Sequence, residues 1–187
     1  MEIVNGERLV LGTCYYPEHW DESLWRDDLR RMLENGIEVI RIAEFAWSKI
    51  ERYEGVFNYD FFDRFLDAAA EMGMKVIFCT PTATPPAWLT EKYPEVLNAT
   101  MDGVLYRHGG RRHYNYNSPK YQELTRIIVE KSASHYAKHP AIIGWQIDNE
   151  INCEKNEFYS ESDTIAFRKF LMEKYGSIDA LNDAWGT

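Results

Sequence analysis

The 187-residue chain has no apolar run that approaches the roughly 20 residues needed for a membrane-spanning helix. Its N-terminus has no basic segment followed by a long apolar stretch, so we expect no signal peptide. Positive charge is also scarce, because 21 Lys and Arg stand against 30 Asp and Glu, a net charge of −9. This balance disfavours nucleic acid and anionic membranes as partners. We therefore expect a cytoplasmic protein that binds neither.

Cysteine is equally scarce, which excludes a disulfide framework of the kind found in small secreted domains. The three cysteines, Cys14, Cys79 and Cys153, are odd in number and show no Cys-x-x-Cys spacing. Cys14 and Cys79 lie in apolar, strand-like runs. We expect both to be buried free thiols, in keeping with a reducing compartment.

Apolar runs typical of buried strands alternate along the chain with helical patterns. The predicted strands lie at 9–15, 37–42, 75–79 and 141–147. Helices are predicted from Asp21 or Ser23 to Asn35, from Tyr59 to Gly73, from Pro119 onward, at 162–175 and at 178–185, from capping residues and apolar spacing. The proline-rich stretch 80–118 is predicted to be a long, ordered, irregular loop that forms part of a site.

Glycine is missing where one class of α/β fold would need it. A doubly wound sheet usually has a glycine-rich phosphate turn after its first strand, whereas here Tyr-Tyr-Pro-Glu-His-Trp occupies 15–20. The βαβαβαβα order predicts parallel strands with right-handed crossovers, and a (β/α)8 barrel is preferred. Because a complete barrel needs roughly 250 residues, we expect the N-terminal half of a TIM barrel, about four βα units, C-terminally truncated from a longer protein.

Polar side chains are predicted at the C-terminal end of every strand, where a parallel barrel carries its chemistry. They are Glu18 and His19, Arg41 and Glu44, Thr82 and Thr84, and Asn149 and Glu150. Two carboxyl groups that flank a sugar are the minimum machinery for glycoside hydrolysis. Glu150 follows a buried apolar strand and is expected to have a raised pKa and to donate the proton. Asn149 is suited to bind a sugar hydroxyl.

Structural alternatives stand beside these functional interpretations. Arg41 and Glu44 could form a purely structural ion pair, and Glu18 with His19 could be a turn that leads into a helix. The loop with His108 and His113 favours a sugar-binding or structural role over a metal site, because no further ligands complete a set. Trp20, Trp47 and Trp88 are candidate stacking platforms for a sugar ring.

Six segments resemble the glycoside hydrolase family 42 β-galactosidases and together cover almost the whole chain. The most specific is Gly-Trp-Gln-Ile-Asp-Asn-Glu at 144–150, which is similar to the acid/base segment of the family. The others are Cys-Tyr-Tyr-Pro-Glu-His-Trp at 14–20, Arg-Ile-Ala-Glu-Phe-Ala-Trp-Ser at 41–48, Thr-Pro-Thr-Ala-Thr-Pro-Pro-Ala-Trp-Leu at 80–89, Arg-His-Gly-Gly-Arg-Arg-His-Tyr at 107–114 and Tyr-Gly-Ser-Ile-Asp-Ala-Leu-Asn at 175–182.

The resemblance implies that residues 1–187 are the N-terminal portion of a catalytic (β/α)8 domain. It further implies retaining hydrolysis of terminal β-D-galactosides, without a cofactor. By position in the motifs, Glu150 resembles the proton donor, while Asn149 and Arg111 resemble galactose-binding residues. Arg41 matches an arginine that supports the nucleophile. The nucleophilic glutamate of the family would lie beyond Thr187, outside this chain.

The chain departs from the family at a zinc site. Some members bind zinc through four cysteines, yet Asn115 occupies the first of these positions and 154–164 contains no cysteine. We therefore predict no metal. Alternative functions are a stand-alone half-barrel that binds galactosides without cleavage, or a related β-fucosidase or α-L-arabinopyranosidase. Because members often form trimers, the resemblance implies a homotrimer for the full-length enzyme.

Overall fold

The computed structural model describes residues 9–151 and 156–187, which form two compact units. Residues 9–86 and 127–151 form the first, which contains the main β-sheet and is called the sheet unit. Residues 87–126 and 156–187 form the second, called the helical unit. The strands are β1 (Leu11–Cys14), β2 (Ile37–Ile42), β3 (Glu51–Tyr53), β4 (Val56–Phe57), β5 (Lys75–Cys79) and β6 (Ile142–Gln146). The helices are α1 (Trp25–Glu34), α2 (Trp47–Ile50), α3 (Asp60–Met72), α4 (Ala87–Lys92), α5 (Pro119–Tyr136), α6 (Glu161–Tyr175) and α7 (Ile178–Trp185).

The sheet unit contains a four-stranded, all-parallel sheet in the order β1-β2-β5-β6. Each of these strands lies within one of the four predicted runs, so the predicted strand order is confirmed. The antiparallel pair β3 and β4 was not predicted, because strands of three and two residues are too short to show alternation. In the main sheet the register brings Cys14 opposite Arg41, and Arg41 opposite Ile77.

The core of the sheet unit forms where α3 covers the sheet. The apolar residues of α3 recur at helical spacing, and Phe62, Phe65 and Leu66 are fully buried. Phe62 meets the strand residue Phe78 edge-on, with ring centroids 5.7 Å apart. Each side chain of this size contributes about 1.5–3 kcal/mol when it is fully buried. Gly73 ends the helix with φ 80°, a left-handed conformation that glycine adopts at little cost.

Strand β1 is exposed along its whole length, unlike β2 beside it. Among the described residues it pairs only with β2, so it forms an edge of the sheet. The expectation that Cys14 is buried is therefore wrong, because the thiol lies on this uncovered strand. Cys79, on the interior strand β5, is buried as expected. Cys153 lies outside the described residues.

The helical unit contains more regular structure than the predicted irregular loop. The predicted loop, 80–118, contains helix α4 and two 3-10 turns, Pro81–Ala83 and Pro94–Val96. The turn at Pro81–Ala83 belongs to the sheet unit, and the other two elements belong to the helical unit.

Helix α6 begins one residue earlier than predicted because Ser160 caps it. The Ser160 side chain accepts a hydrogen bond from the Asp163 backbone N–H, and the Asp163 carboxylate accepts one from the Ser160 backbone. In the described part of the chain, no helix combines the length and apolarity needed to cross a membrane.

Candidate active site

The C-terminal ends of β1, β2 and β6 converge on the guanidinium of Arg41. Its Nη2 donates to Oε1 of Glu44 at 2.5 Å and to Sγ of Cys14 at 3.0 Å. Its Nη1 donates to Oε1 of Gln146 at 2.7 Å. The Arg41–Glu44 ion pair, considered from the sequence as a structural alternative, is therefore present, and Arg41 also links the pair to β6.

Glu44 is a buried carboxylate whose side chain is only 1% exposed. The preceding residue, Ala43, has φ 73°, so the backbone turns sharply where β2 ends. Besides Arg41, the hydroxyl of Tyr16 donates to Oε1 of Glu44 at 2.7 Å. Burial and this hydrogen bond to the carboxylate raise the pKa of Tyr16 to about 12. Burial, followed by the charge of Glu44, likewise raises the pKa of the Cys79 thiol to about 12.

The chain leaves strand geometry directly after β6. Asp148 and Glu150 have φ values of 54° and 47°, which non-glycine residues adopt at a cost, although aspartate and asparagine tolerate it best. Asp148 holds this turn together. Its Oδ2 accepts from the Thr82 hydroxyl at 3.0 Å, and its Oδ1 accepts from the backbone N–H of Asn149 at 2.5 Å. The Asp148 backbone N–H in turn donates to Oγ1 of Thr80 at 2.7 Å.

Gln146 connects this turn to Arg41. Its Nε2 donates to the backbone carbonyl of Asp148 at 2.8 Å and to Oδ1 of Asn149 at 3.3 Å. Neither Gln146 nor Asp148 was among the candidates from the sequence. The sequence feature that could have identified Gln146 and Asp148 is their position as polar residues on either side of Ile147, at the end of an apolar run.

The two candidate residues of this segment differ in their surroundings. Asn149 is 8% exposed and is held by the contacts above, whereas Glu150 is exposed. Adjacent residues in an extended strand would point to opposite faces, and the turn removes that restriction. The raised pKa expected for Glu150 remains a prediction.

Glu18 lies in a 3-10 turn, Pro17–His19, as the structural alternative proposed. Its Oε2 atom is buried and has no hydrogen-bond partner among the described residues. Burial is the main cause of a raised pKa at this carboxyl, and the charge of Glu44 adds to it. Glu18 is therefore a second carboxyl group, near the end of β1, whose ionised form is disfavoured.

The candidate Arg111 belongs to the helical unit, and its side chain is exposed. Its neighbour Arg112 is buried, with φ 59°, and donates from Nη1 to the hydroxyls of Tyr114 and Tyr116 at 2.7 and 2.8 Å. The two arginines thus divide their roles, since Arg112 fixes the loop while Arg111 faces solvent. His113 also stabilises the loop, through Nδ1 and the Gly110 carbonyl.

The aromatic platforms expected from the sequence are only partly in place. Trp20 is 53% exposed and follows the first strand, which suits a stacking role. Trp47 is fully buried in α2, where its Nε1 donates to Oε2 of Glu51 at 2.7 Å. The expectation that Trp47 is a platform is therefore wrong, because its ring belongs to the core. Trp88 lies in α4 and is partly exposed.

The position expected for a zinc-binding cysteine is occupied by hydrogen-bonding groups. Asn115 is fully buried, and its amide donates to the hydroxyls of Ser160 and Ser162. Over residues 9–151 and 156–187, no three His, Cys, Asp or Glu side chains are grouped as a metal site. Because residues 152–155 are not described, the predicted absence of metal stays a prediction.

A parallel α/β sheet with acidic and polar groups gathered at the C-terminal ends of its strands is the arrangement of (β/α)8-barrel enzymes. A model of the glycoside hydrolase family 42, described as beta-galactosidase, matches residues 14–187. The chain belongs to this family.

The relatives agree with this assignment over nearly the whole chain. A beta-galactosidase of Thermus sp. is 46% identical over 95% of this chain. The crystal structure of beta-galactosidase from the psychrophilic Marinomonas ef1 has a TM-score of 0.91 and 45% identity over 95% of this chain. The solved structure of a beta-galactosidase from the haloarchaeon Halorubrum lacusprofundi has a TM-score of 0.92 and 42% identity, and this chain covers 27% of it. The chain covers 28% of the Thermus protein and 27% of the Marinomonas structure. The fold class, part of a TIM barrel, is confirmed.

Proposed function

We propose that this chain supplies the acid/base half of the catalytic site of a retaining β-galactosidase, with Glu150 as the acid/base residue. The observation that carries the proposal is the turn after β6, where Asp148 and Glu150 adopt positive φ and Asn149 is anchored beside Glu150. Backbone strain of this kind persists where surrounding contacts enforce it, and it is concentrated at functional sites. The beta-galactosidase relatives support the choice of substrate.

The proposed reaction proceeds in two steps. In the first, Glu150 donates its proton to the glycosidic oxygen while a glutamate outside this chain attacks the anomeric carbon, and the bond to the leaving group breaks. In the second, the Glu150 carboxylate accepts a proton from water, whose oxygen attacks the same carbon and releases the nucleophile. The anomeric configuration is retained because the carbon is inverted twice.

Other residues of the chain complete the proposal. Arg111, exposed in the helical unit, would bind galactose, and Asn149 would donate to a sugar hydroxyl. Arg41 would support the nucleophile with a guanidinium already held by Glu44. The proposal includes a role in carbohydrate metabolism, a homotrimeric full-length protein, and a cytoplasmic location, for which the free thiols of Cys14 and Cys79 are support.

The test is a Glu150→Gln substitution in the full-length protein, assayed on aryl β-galactosides with good and poor leaving groups. An activated leaving group departs without protonation, whereas a poor one needs the acid. We therefore expect turnover of poor substrates to fall by about 100-fold or more relative to activated ones. The basic limb of the pH profile should disappear in the same variant.

The matched control is Glu130→Gln, on an exposed glutamate of α5, which should leave both substrates unaffected. Equal losses of turnover on good and poor leaving groups in Glu150→Gln would exclude the acid/base assignment.

A further inference from the structure

Gln146 lies between a group that can only donate hydrogen bonds and one that can only accept them. Its Oε1 accepts from Nη1 of Arg41 at 2.7 Å, and its Nε2 donates to the carbonyl of Asp148 at 2.8 Å. A guanidinium has no acceptor and a backbone carbonyl has no donor. The orientation of the Gln146 amide is thereby fixed by its partners.

The orientation of the Gln146 amide constrains the orientation of the Asn149 amide. Because Nε2 of Gln146 is a donor, the atom of Asn149 that faces it at 3.3 Å must be the acceptor Oδ1. The amino group of Asn149 then points away from Gln146 as the donor end. The order of contacts runs from Glu44 through Arg41 and Gln146 to Asn149 and is called the Glu44–Asn149 relay.

We propose that Gln146 is a positioning residue that fixes the Asn149 amide with its N–H groups toward the sugar, so that Asn149 donates to the hydroxyl next to the anomeric carbon. This inference rests on the proposed function. Glu150 must reach the glycosidic oxygen on the anomeric carbon, and Asn149 directly precedes it, so the proposal assigns Asn149 to the neighbouring 2-hydroxyl. Hydrogen bonds to this hydroxyl strengthen in the transition state of glycoside hydrolysis.

The geometry also explains why a glutamine is required at this strand end. A glutamate of the same length would still accept from Arg41, but its second oxygen would accept from Asn149 rather than donate to it. Asn149 would rotate to offer its amino group to residue 146 and turn its oxygen toward the sugar. Methionine would remove both contacts and with them the constraint that Gln146 places on the Asn149 amide.

The experiment compares Gln146→Glu and Gln146→Met in the full-length protein. The probes are an aryl β-D-galactoside and its 2-deoxy analogue with the same leaving group. For the galactoside we expect kcat/KM to fall about 100-fold with glutamate and by a smaller factor with methionine. For the 2-deoxy substrate, which lacks the hydroxyl, the loss should stay below about threefold.

The matched control is Gln122→Glu in α5. Gln122 also donates from Nε2 to a backbone carbonyl, that of Tyr116, at 2.8 Å, but it is exposed. This variant should leave the ratio between the two substrates unchanged. Thermal unfolding of each variant identifies one that fails to fold, in which case the other Gln146 variant carries the test.

A double-mutant cycle with Gln146→Glu and Asn149→Ala tests whether Gln146 affects catalysis through Asn149. In an Asn149→Ala background, Gln146→Glu should cost no more than about threefold on either substrate, because its route to the sugar is gone. Equal losses on both substrates, or full additivity with Asn149→Ala, would overturn the proposal. Failure of the proposed function would instead show as missing leaving-group dependence in Glu150→Gln, measured in parallel.

Discussion

At the scale of single residues, the site contains two carboxyl groups, Glu44 and Glu18, that differ in their hydrogen-bond partners. Glu44 is almost completely buried yet receives hydrogen bonds from Arg41 and Tyr16. Removing one partner of such a pair costs about 3–5 kcal/mol, because the other charge is left uncompensated. Glu18 has a buried oxygen with no partner among the described residues. The Glu44 carboxylate therefore has hydrogen-bond donors, whereas the buried oxygen of Glu18 has none among the described residues.

Glu18→Gln should raise stability at neutral pH. The pKa of Glu18 is raised in the folded chain, so the folded state holds its proton more tightly than the unfolded state. Stability contributed by the protonated form is present below the ordinary pKa, about 4.3, and is lost as pH rises through the raised value. We expect the variant to melt about 1–3 °C higher than the parent at pH 8 and at the same temperature near pH 4.

The control is Glu22→Gln, four residues along. Glu22 is exposed and paired with Arg64 at 2.5 Å, which lowers the pKa of its carboxyl. Its replacement should bring no gain in melting temperature at pH 8. A Glu18→Gln variant that melts lower than the parent at pH 8 would show that ionised Glu18 has a stabilising partner.

At the scale of elements, the turn after β6 ends the strand and presents the candidate residues Asn149 and Glu150. It has two positive φ values within three residues, at Asp148 and Glu150, and side chains from the segment after β5 hold Asp148. Thr80 accepts from the Asp148 backbone, and Thr82 donates to the Asp148 carboxylate. The turn after one strand thus depends on the 3-10 turn after its neighbour.

Thr82→Val should loosen this turn while preserving the shape of the side chain. It removes one hydrogen bond to the buried Asp148 carboxylate, a loss of about 1–3 kcal/mol. We expect the full-length variant to have a lower melting temperature and, because Asn149 and Glu150 follow Asp148 directly, a lower kcat, chiefly with substrates that have poor leaving groups.

The control for this substitution is Thr125→Val in α5. The Thr125 hydroxyl is buried and has no hydrogen-bond partner in the described ranges, so its removal should be neutral or stabilising. If Thr82→Val behaves like Thr125→Val in both measurements, the Thr82 contact does not support the turn.

At the scale of the whole molecule, each unit leaves apolar surface uncovered. In the sheet unit, Leu9 and Leu11 are 93% and 57% exposed, along the edge strand β1 and just before it. In the helical unit, Ile165, Phe167 and Phe170 of α6 are all more than half exposed. Exposed strand edges and apolar patches of this kind promote association.

We therefore expect the 187-residue chain, expressed by itself, to self-associate and to show no galactosidase turnover. Sedimentation velocity and binding of a hydrophobic dye measure the first property, and an aryl galactoside assay measures the second. The full-length protein, assayed beside it, provides the reference. A monodisperse monomer that hydrolyses galactosides would contradict both the exposed apolar surface and the assignment of the nucleophile to another part of the protein.

The sequence by itself determined the four strands of the main sheet, most boundaries of the five predicted helices and the segment proposed to carry the acid/base residue. Strands in a parallel sheet appear as short apolar runs, and caps such as Gly73 act on neighbouring residues, so this information is local. For the same reason Asn149, Glu150 and the Arg41–Glu44 pair, three residues apart, could be proposed from the amino-acid pattern alone.

Only the tertiary structure decided which side chains act together. Arg41 and Gln146 are 105 residues apart, and their hydrogen bond exists because the sheet order brings the ends of β2 and β6 to one edge. The exposure of Cys14 and the burial of Trp47 likewise depend on which strands and helices are neighbours. Local pattern specifies what each segment becomes, whereas sheet order and register specify what each side chain touches, since those contacts join residues distant in the chain.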